Sequence, residues 1–322
     1  MLARRRELGF KARMRANITA DTASSRAGIL RGNLVIAVSV LVWSTAFPAT
    51  DRLLETWDPV LLTPFRLGIA SLVLLALLLA TAGPGALCGV PWRQVWLVGG
   101  LGGGIASVLF IVGQSLSDGV TASIILTMGP VVAVVVAWLG GSGRPGLAAF
   151  VGVVLAVAGG VLVTLAGAEL RAGFRGGELL VLAAVILWTW YSHAGISRLP
   201  GMGDLARSAL LLAASAVVSG LLAIAGLSLG LVDLRADVTP SGIAWLLWLG
   251  GVAVGLTLPP WFLGVRLLGI TVASMHQNLA PLYVMLLAVL LGGSVVSGQV
   301  AGAALVLAGA AIAQLRRRDR SG

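Results

Sequence analysis

Residues 120–141 read VTASIILTMGPVVAVVVAWLGG, and residues 271–293 read TVASMHQNLAPLYVMLLAVLLGG. In both stretches a Thr/Val-Ala-Ser opening leads after six residues to a proline, then to an apolar run, then to a glycine pair. Ser123 and Ser274 stand 151 residues apart, and so do Pro130 and Pro281. Two further echoes keep the same order: Gly159-Gly160-Val161 returns as Gly309-Ala310-Ala311, and Trp43 has its counterpart in Trp188. Self-similarity at one fixed spacing marks a chain built from two copies of one unit.

Each copy is apolar enough to lie in lipid. Hydrophobic residues make up 58% of the chain and charged residues 11%, whereas a soluble domain carries about 25% charged residues. The 44 glycines suit closely packed membrane helices. A bilayer core of about 30 Å needs roughly 20 apolar residues as a helix. That length predicts ten spans, at 33–53, 59–81, 94–115, 120–139, 147–166, 178–197, 208–230, 241–263, 271–291 and 298–315. Runs such as 72–79 and 131–139 do not alternate apolar with polar, which excludes the strands of a membrane barrel. The expected fold is an all-α polytopic membrane protein.

Basic residues orient it. The stretch before the first span holds eight, from Arg4 to Arg31, and the end holds Arg316, Arg317, Arg318 and Arg320. With Arg93, Arg144, Arg198, Arg207 and Arg266 in loops on that side, 17 of 22 basic residues gather there, against 8 of 12 acids on the other. Both ends are therefore expected in the cytoplasm. The expected units are basic tails at 1–31 and 316–322, a first repeat at 32–167 and a second at 176–315. Residues 1–31 read as a disordered arm: the run that follows is longer than a signal core and lacks a cleavage site. The net charge of +10 sits at membrane-flanking segments, where anionic lipid heads explain it better than a nucleic acid does. Five spans per repeat is an odd number, so the second unit crosses opposite to the first. Inverted repeats of this kind are common in secondary transporters, which hold their substrate between the halves near the midplane.

The stretch Trp43-Ser44-Thr45-Ala46-Phe47-Pro48-Ala49 resembles the first-helix signature of the EamA branch of the drug/metabolite transporter superfamily. The Ala-Ser…Pro…Gly pattern at 122–141 and 273–293 resembles that family's repeat. The likeness covers nearly all of the chain beyond residue 31. It implies ten helices as two inverted five-helix repeats and transport of small metabolites. Within the family the chain is similar to bacterial amino-acid exporters, including the YddG-type exporters of aromatic amino acids. Family members usually carry a glutamate just after the glycine of the proline-containing helix; this chain has Ser142 or Gly143 there, and Ser294 in the second repeat. That glutamate's role is therefore not carried over.

Candidate substrate contacts come from polar and aromatic residues inside spans. His276, Gln277 and Asn278 are consecutive in an apolar helix, and 100° between neighbours forbids all three from facing one cavity. Gln114 and Thr127 are further polar candidates. Trp43 and Phe47 are four apart on one face, Trp188 and Tyr191 three apart on another, with Trp190 directed elsewhere. Trp57, Trp92 and Trp96 fit an interfacial belt; Trp43 and Trp188 are mid-span, where a belt does not explain them. Pro48, Pro130, Pro259 and Pro281 interrupt spans and free upstream carbonyls, which makes them candidate hinges. Arg66 is the one charge clearly inside a span. It either steers a carboxylate or, on the preferred reading, reaches the external interface or pairs with Asp58.

No Asp or Glu lies mid-span, no Walker A sequence occurs and no loop holds an ATPase domain. A facilitated carrier is therefore expected, with coupling through His276 or His193 as the second choice. The expected cargo is a net-neutral small molecule such as a zwitterion, exported across a bacterial inner membrane without cofactor or metal. The 21 arginines against one lysine fit a GC-rich bacterial genome. A nucleotide-sugar or drug carrier is the alternative. An integral membrane enzyme is disfavoured because the two histidines show neither HxxxH nor DxxD spacing. A channel would be separated from a carrier by the absence of saturation and counter-transport. Monomer or oligomer stays open.

Overall fold

A computed structural model of the chain describes residues 26–116, 125–141, 145–166, 176–280, 283 and 297–315. Among these there are helices and turns and no strand. Thirteen α-helices follow one another among the described residues: α1 Arg26–Ser44, α2 Ala46–Leu54, α3 Pro59–Ala82, α4 Trp92–Val95, α5 Ile105–Leu116, α6 Gly129–Leu139, α7 Leu147–Ala166, α8 Gly177–Ser197, α9 Asp204–Ser228, α10 Pro240–Leu247, α11 Leu258–Leu268, α12 Ile270–Gln277 and α13 Ser297–Leu315. Two π-helical segments join neighbours into longer rods: Trp96–Gly104 between α4 and α5, and Trp248–Leu256 between α10 and α11.

Among the described residues, six helical runs are long and apolar enough to cross a membrane: Ala27–Leu54, Pro59–Ala82, Trp92–Leu116, Gly177–Ser197, Asp204–Ser228 and Pro240–Leu268. Gly129–Leu139, Leu147–Leu162 and Val300–Ala313 are apolar but shorter. The expected spans at 120–139 and 271–291 are covered only in part, because 117–124, 281–282 and 284–296 lie outside the described residues. Outward faces stay apolar, with Leu72, Phe150, Leu221 and Ile224 exposed, as lipid rather than water requires.

The helix ends have local causes. Asp58 caps α3 by accepting from the Val60 and Leu61 amides, and Pro59 fills the first position, where no amide is needed. Thr45 breaks the first rod between α1 and α2, its hydroxyl turned back onto the Val42 carbonyl. The described hinge candidates follow such breaks. Pro48 lies in the first turn of α2, Pro130 in that of α6 after a turn at Thr127-Met128, and Pro259 in that of α11 after the turn at Thr257. A proline is tolerated there because its missing donor is one the helix start leaves unpaired anyway. Pro281 lies outside the described residues.

Several packing contacts between the first part of the bundle (α1–α7) and the second (α8–α13) have counterparts. The segment Trp96–Gly104 packs on α9, and Trp248–Leu256 packs on α3; α5 packs on α8, and α11 on α1; α6 meets α12, and α7 meets α13. The two π segments both begin Trp-Leu and carry glycines, and lie apart by nearly the spacing of Pro130 from Pro281. Those glycines allow the close approach. A Cβ at Gly99 would come within 2.5 Å of the Leu211 carbonyl oxygen, and one at Gly250 within 2.7 Å of that of Arg66. Helices α7 and α13 cross at two glycine pairs, Gly152 against Gly309 and Gly159 against Gly302. Close backbone approach at small residues is how helices gain dispersion in lipid, where apolar burial supplies no driving force.

Candidate functional site

Where α1, α2, α3, α5, α8, α9 and α11 converge, they leave a cavity. Its wall is mostly aromatic and aliphatic. Trp43 and Phe47 project into it from either side of the Thr45 break, their rings edge to face at 5.1 Å. Opposite them, Trp188 stacks on Tyr191 at 5.1 Å and lies 6.2 Å from Trp261, whose indole N–H donates to the Ser192 hydroxyl at 3.1 Å. Tyr191 leans on Phe262 at 5.7 Å, so the core behind fixes the ring. Trp190, one residue away, turns out of the cavity and carries the Arg198 guanidinium on its face.

Polar groups are few and several lack partners. Gln114 donates to the Asp51 carboxylate at 3.0 Å, which leaves its own carbonyl oxygen unbonded. The Trp188 indole N–H, the Tyr191 hydroxyl and the Arg66 Nε are likewise buried without a hydrogen-bond partner among the described residues. All four residues line the cavity. Buried polar groups in folded proteins are nearly always bonded, so a cluster of orphaned ones around a single void points to a ligand or its water. Ser39, Thr50, Ser107, Ser215 and Thr257 add hydroxyls to the wall, several of them turned onto helix carbonyls.

The polar trio of α12 divides as helix geometry requires. Gln277 reaches the cavity. His276 is buried away from it, with Nδ1 2.9 Å from the Val272 carbonyl of its own helix. Asn278 is an interhelical tie: its amide donates to the Thr127 carbonyl at 3.2 Å and to the Ala156 carbonyl at 2.9 Å. Thr127 is buried beside that tie and is not part of the cavity wall. Among the sequence candidates, then, Trp43, Phe47, Gln114, Trp188, Tyr191 and Gln277 come together, while Thr127, His276 and Asn278 stand behind them.

Two expectations need correction. The passage is not uncharged, because Arg66 lines the cavity at 8% exposure. Nor does Arg66 pair with Asp58, which is taken up as the α3 cap and as acceptor of the Asp233 amide. Asp51 is an acid at the outer end of the first expected span that the sequence reading did not single out, yet Gln114 connects it to the wall. Phe110 and Trp261 were also missed. Phe110 had a signal, standing four residues before Gln114 on the same face of α5. Trp261 had none, because nothing local distinguishes it from a packing residue after Pro259-Pro260. Among the described residues no group of three or more His, Cys, Asp or Glu is placed to hold a metal.

A helical bundle with an apolar exterior and an aromatic cavity ringed by unpaired polar atoms describes a multi-pass membrane protein. Residues 30–165 match the EamA-like transporter family. The chain is also similar to the uncharacterized transporter YrdR of Bacillus subtilis (strain 168), with 23% identity over 302 residues, 89% of this chain and 92% of that protein. A crystal structure superposes with a TM-score of 0.70 at 24% identity, covering 88% of this chain and 97% of its own, which relates the two folds.

Proposed function

We propose that this protein is a secondary carrier that exports amino acids or similar small amphipathic metabolites across the bacterial inner membrane. In this reading ten spans form two inverted five-helix halves, and alternating access moves the cargo through the cavity between them. The observation that carries it is the convergence of Arg66, Gln114, Trp188 and Tyr191, each with an unpaired buried polar atom, on one aromatic void. The paired contacts of the π segments with α3 and α9, and the crossed glycine pairs of α7 and α13, support the inverted relation. The basic ends support a cytoplasmic position for both termini.

Aromatic faces suit an apolar side chain, and the glutamines and hydroxyls suit its polar end. Facilitated transport down the cargo gradient is favoured over coupling through His276, whose ring is buried outside the cavity against its own helix. A nucleotide sugar would bring two phosphate charges to a single guanidinium, which places it second. Proteoliposomes loaded with labelled amino acids and metabolites test the reading. Saturable, protein-dependent release with counter-transport is expected; absence of release for every solute would overturn it.

A further inference from the structure

Resting on that reading and narrowing its cargo, we infer that Arg66 is the anchor for a carboxylate, so that the protein carries small acids with an apolar or aromatic body. Arg66 sits two turns into α3, is 8% exposed and lines the cavity. Among the described residues it has neither a hydrogen-bond acceptor nor an ion-pair partner; the ion pairs present are Arg52 with Glu55, and Asp204 with Arg207 and Arg266. Asp51 is engaged by Gln114, and Asp58 by the α3 amides.

A guanidinium taken out of water without a counter-charge costs several kcal/mol even after relaxation. Such residues inside spans are paired or functional. The surroundings decide which anion would fit. The wall offers aromatic faces at Trp43, Phe47 and Trp188, so the body of the ligand is apolar. Arg66 presents a planar fork of donors that matches the two oxygens of a carboxylate. One fixed cation suits one negative charge rather than a polyanion.

Two sources share this chemistry: an amino acid, whose ammonium would rest against the aromatic faces and glutamine carbonyls, and an organic acid that lacks the amine. Proteoliposomes containing the full chain distinguish them with four matched probes: 3-phenylpropionate, phenylalanine, 3-phenylpropionamide and phenethylamine. The expected result is saturable transport of one or both acids and at least about tenfold weaker transport of the amide and amine. Arg66→Gln should remove that preference, raising KM for the acid at least about thirtyfold, the low end for loss of a buried charge partner. Arg66→Lys should keep part of it.

An imposed inside-negative potential separates the sources, since it drives a monoanion outward by about fiftyfold per 100 mV and leaves a zwitterion unaffected. Acids and amide carried equally well by wild type, or an acid preference unchanged in Arg66→Gln, would overturn the anchor and leave the carrier standing. No flux of any solute in the wider panel would overturn the carrier itself. Binding measured by thermal shift with 3-phenylpropionate covers a variant that reconstitutes poorly: a shift retained in Arg66→Gln counts against the anchor.

Discussion

Gly152→Ala tests the packing on which the bundle depends. A Cβ at Gly152 would stand 2.6 Å from the Gly309 carbonyl oxygen, and a Cβ at Gly309 would stand 2.5 Å from that of Gly152. An ordinary carbon–oxygen contact is about 3.3 Å, so α7 and α13 must part by roughly 0.7 Å. A gap of that size forfeits about a quarter to a half of each facing dispersion well, and dispersion is most of what holds these helices together in lipid.

Overpacking of this kind costs about 1–3 kcal/mol, with Gly152→Val at the upper end. Gly152→Ala combined with Gly309→Ala should cost less than the sum of the two, because one separation accommodates both methyl groups. Gly68→Ala is the control: a Cβ there meets nothing within 4 Å, and alanine is the better helix former by about 1 kcal/mol. Thermal unfolding in detergent micelles should show Tm lowered by several degrees for Gly152→Val and held or raised for Gly68→Ala. A Gly152→Val protein as stable as wild type would refute the close crossing and the reasoning from it.

Asn278→Leu deletes two interhelical hydrogen bonds, to Thr127 and Ala156, and at about 0.6 kcal/mol per membrane bond it should cost about 1–2 kcal/mol in the same unfolding assay. Trp43→Ala and Trp188→Ala should each lower flux or change selectivity about two- to tenfold, since stacking pairs of this kind contribute about 0.5–1.5 kcal/mol beyond their burial; His276→Ala should keep wild-type selectivity, because His276 is not part of the cavity wall. Cys88, the single cysteine, is exposed between α3 and α4. On the proposed orientation a membrane-impermeant maleimide labels it in inside-out vesicles and leaves it unmodified in intact spheroplasts; the reverse pattern would invert the topology.

The helical character and the apolar exterior were legible from hydropathy alone, because a long apolar run has one way to satisfy its backbone in lipid. The pairs Trp43/Phe47 and Trp188/Tyr191 were legible as shared faces, because helical spacing is local. Arg66 was not, because a long side chain leaves several outcomes open until its neighbours are known. The fate of His276, Gln277 and Asn278 was legible only as a division. Helix geometry says that three consecutive residues diverge, but it does not say which of them meets the void.

The sequence by itself determined a membrane-embedded helical chain, since composition and span length are properties of the string. Only the tertiary structure decided that Asn278 ties helices together, that Gln277 and Trp261 face the cavity, and that Arg66 lies there with no acid beside it. Whether a buried polar group is paired depends on residues up to hundreds of positions away, as with Asn278 and Thr127. That is a property of packing, which no local pattern encodes.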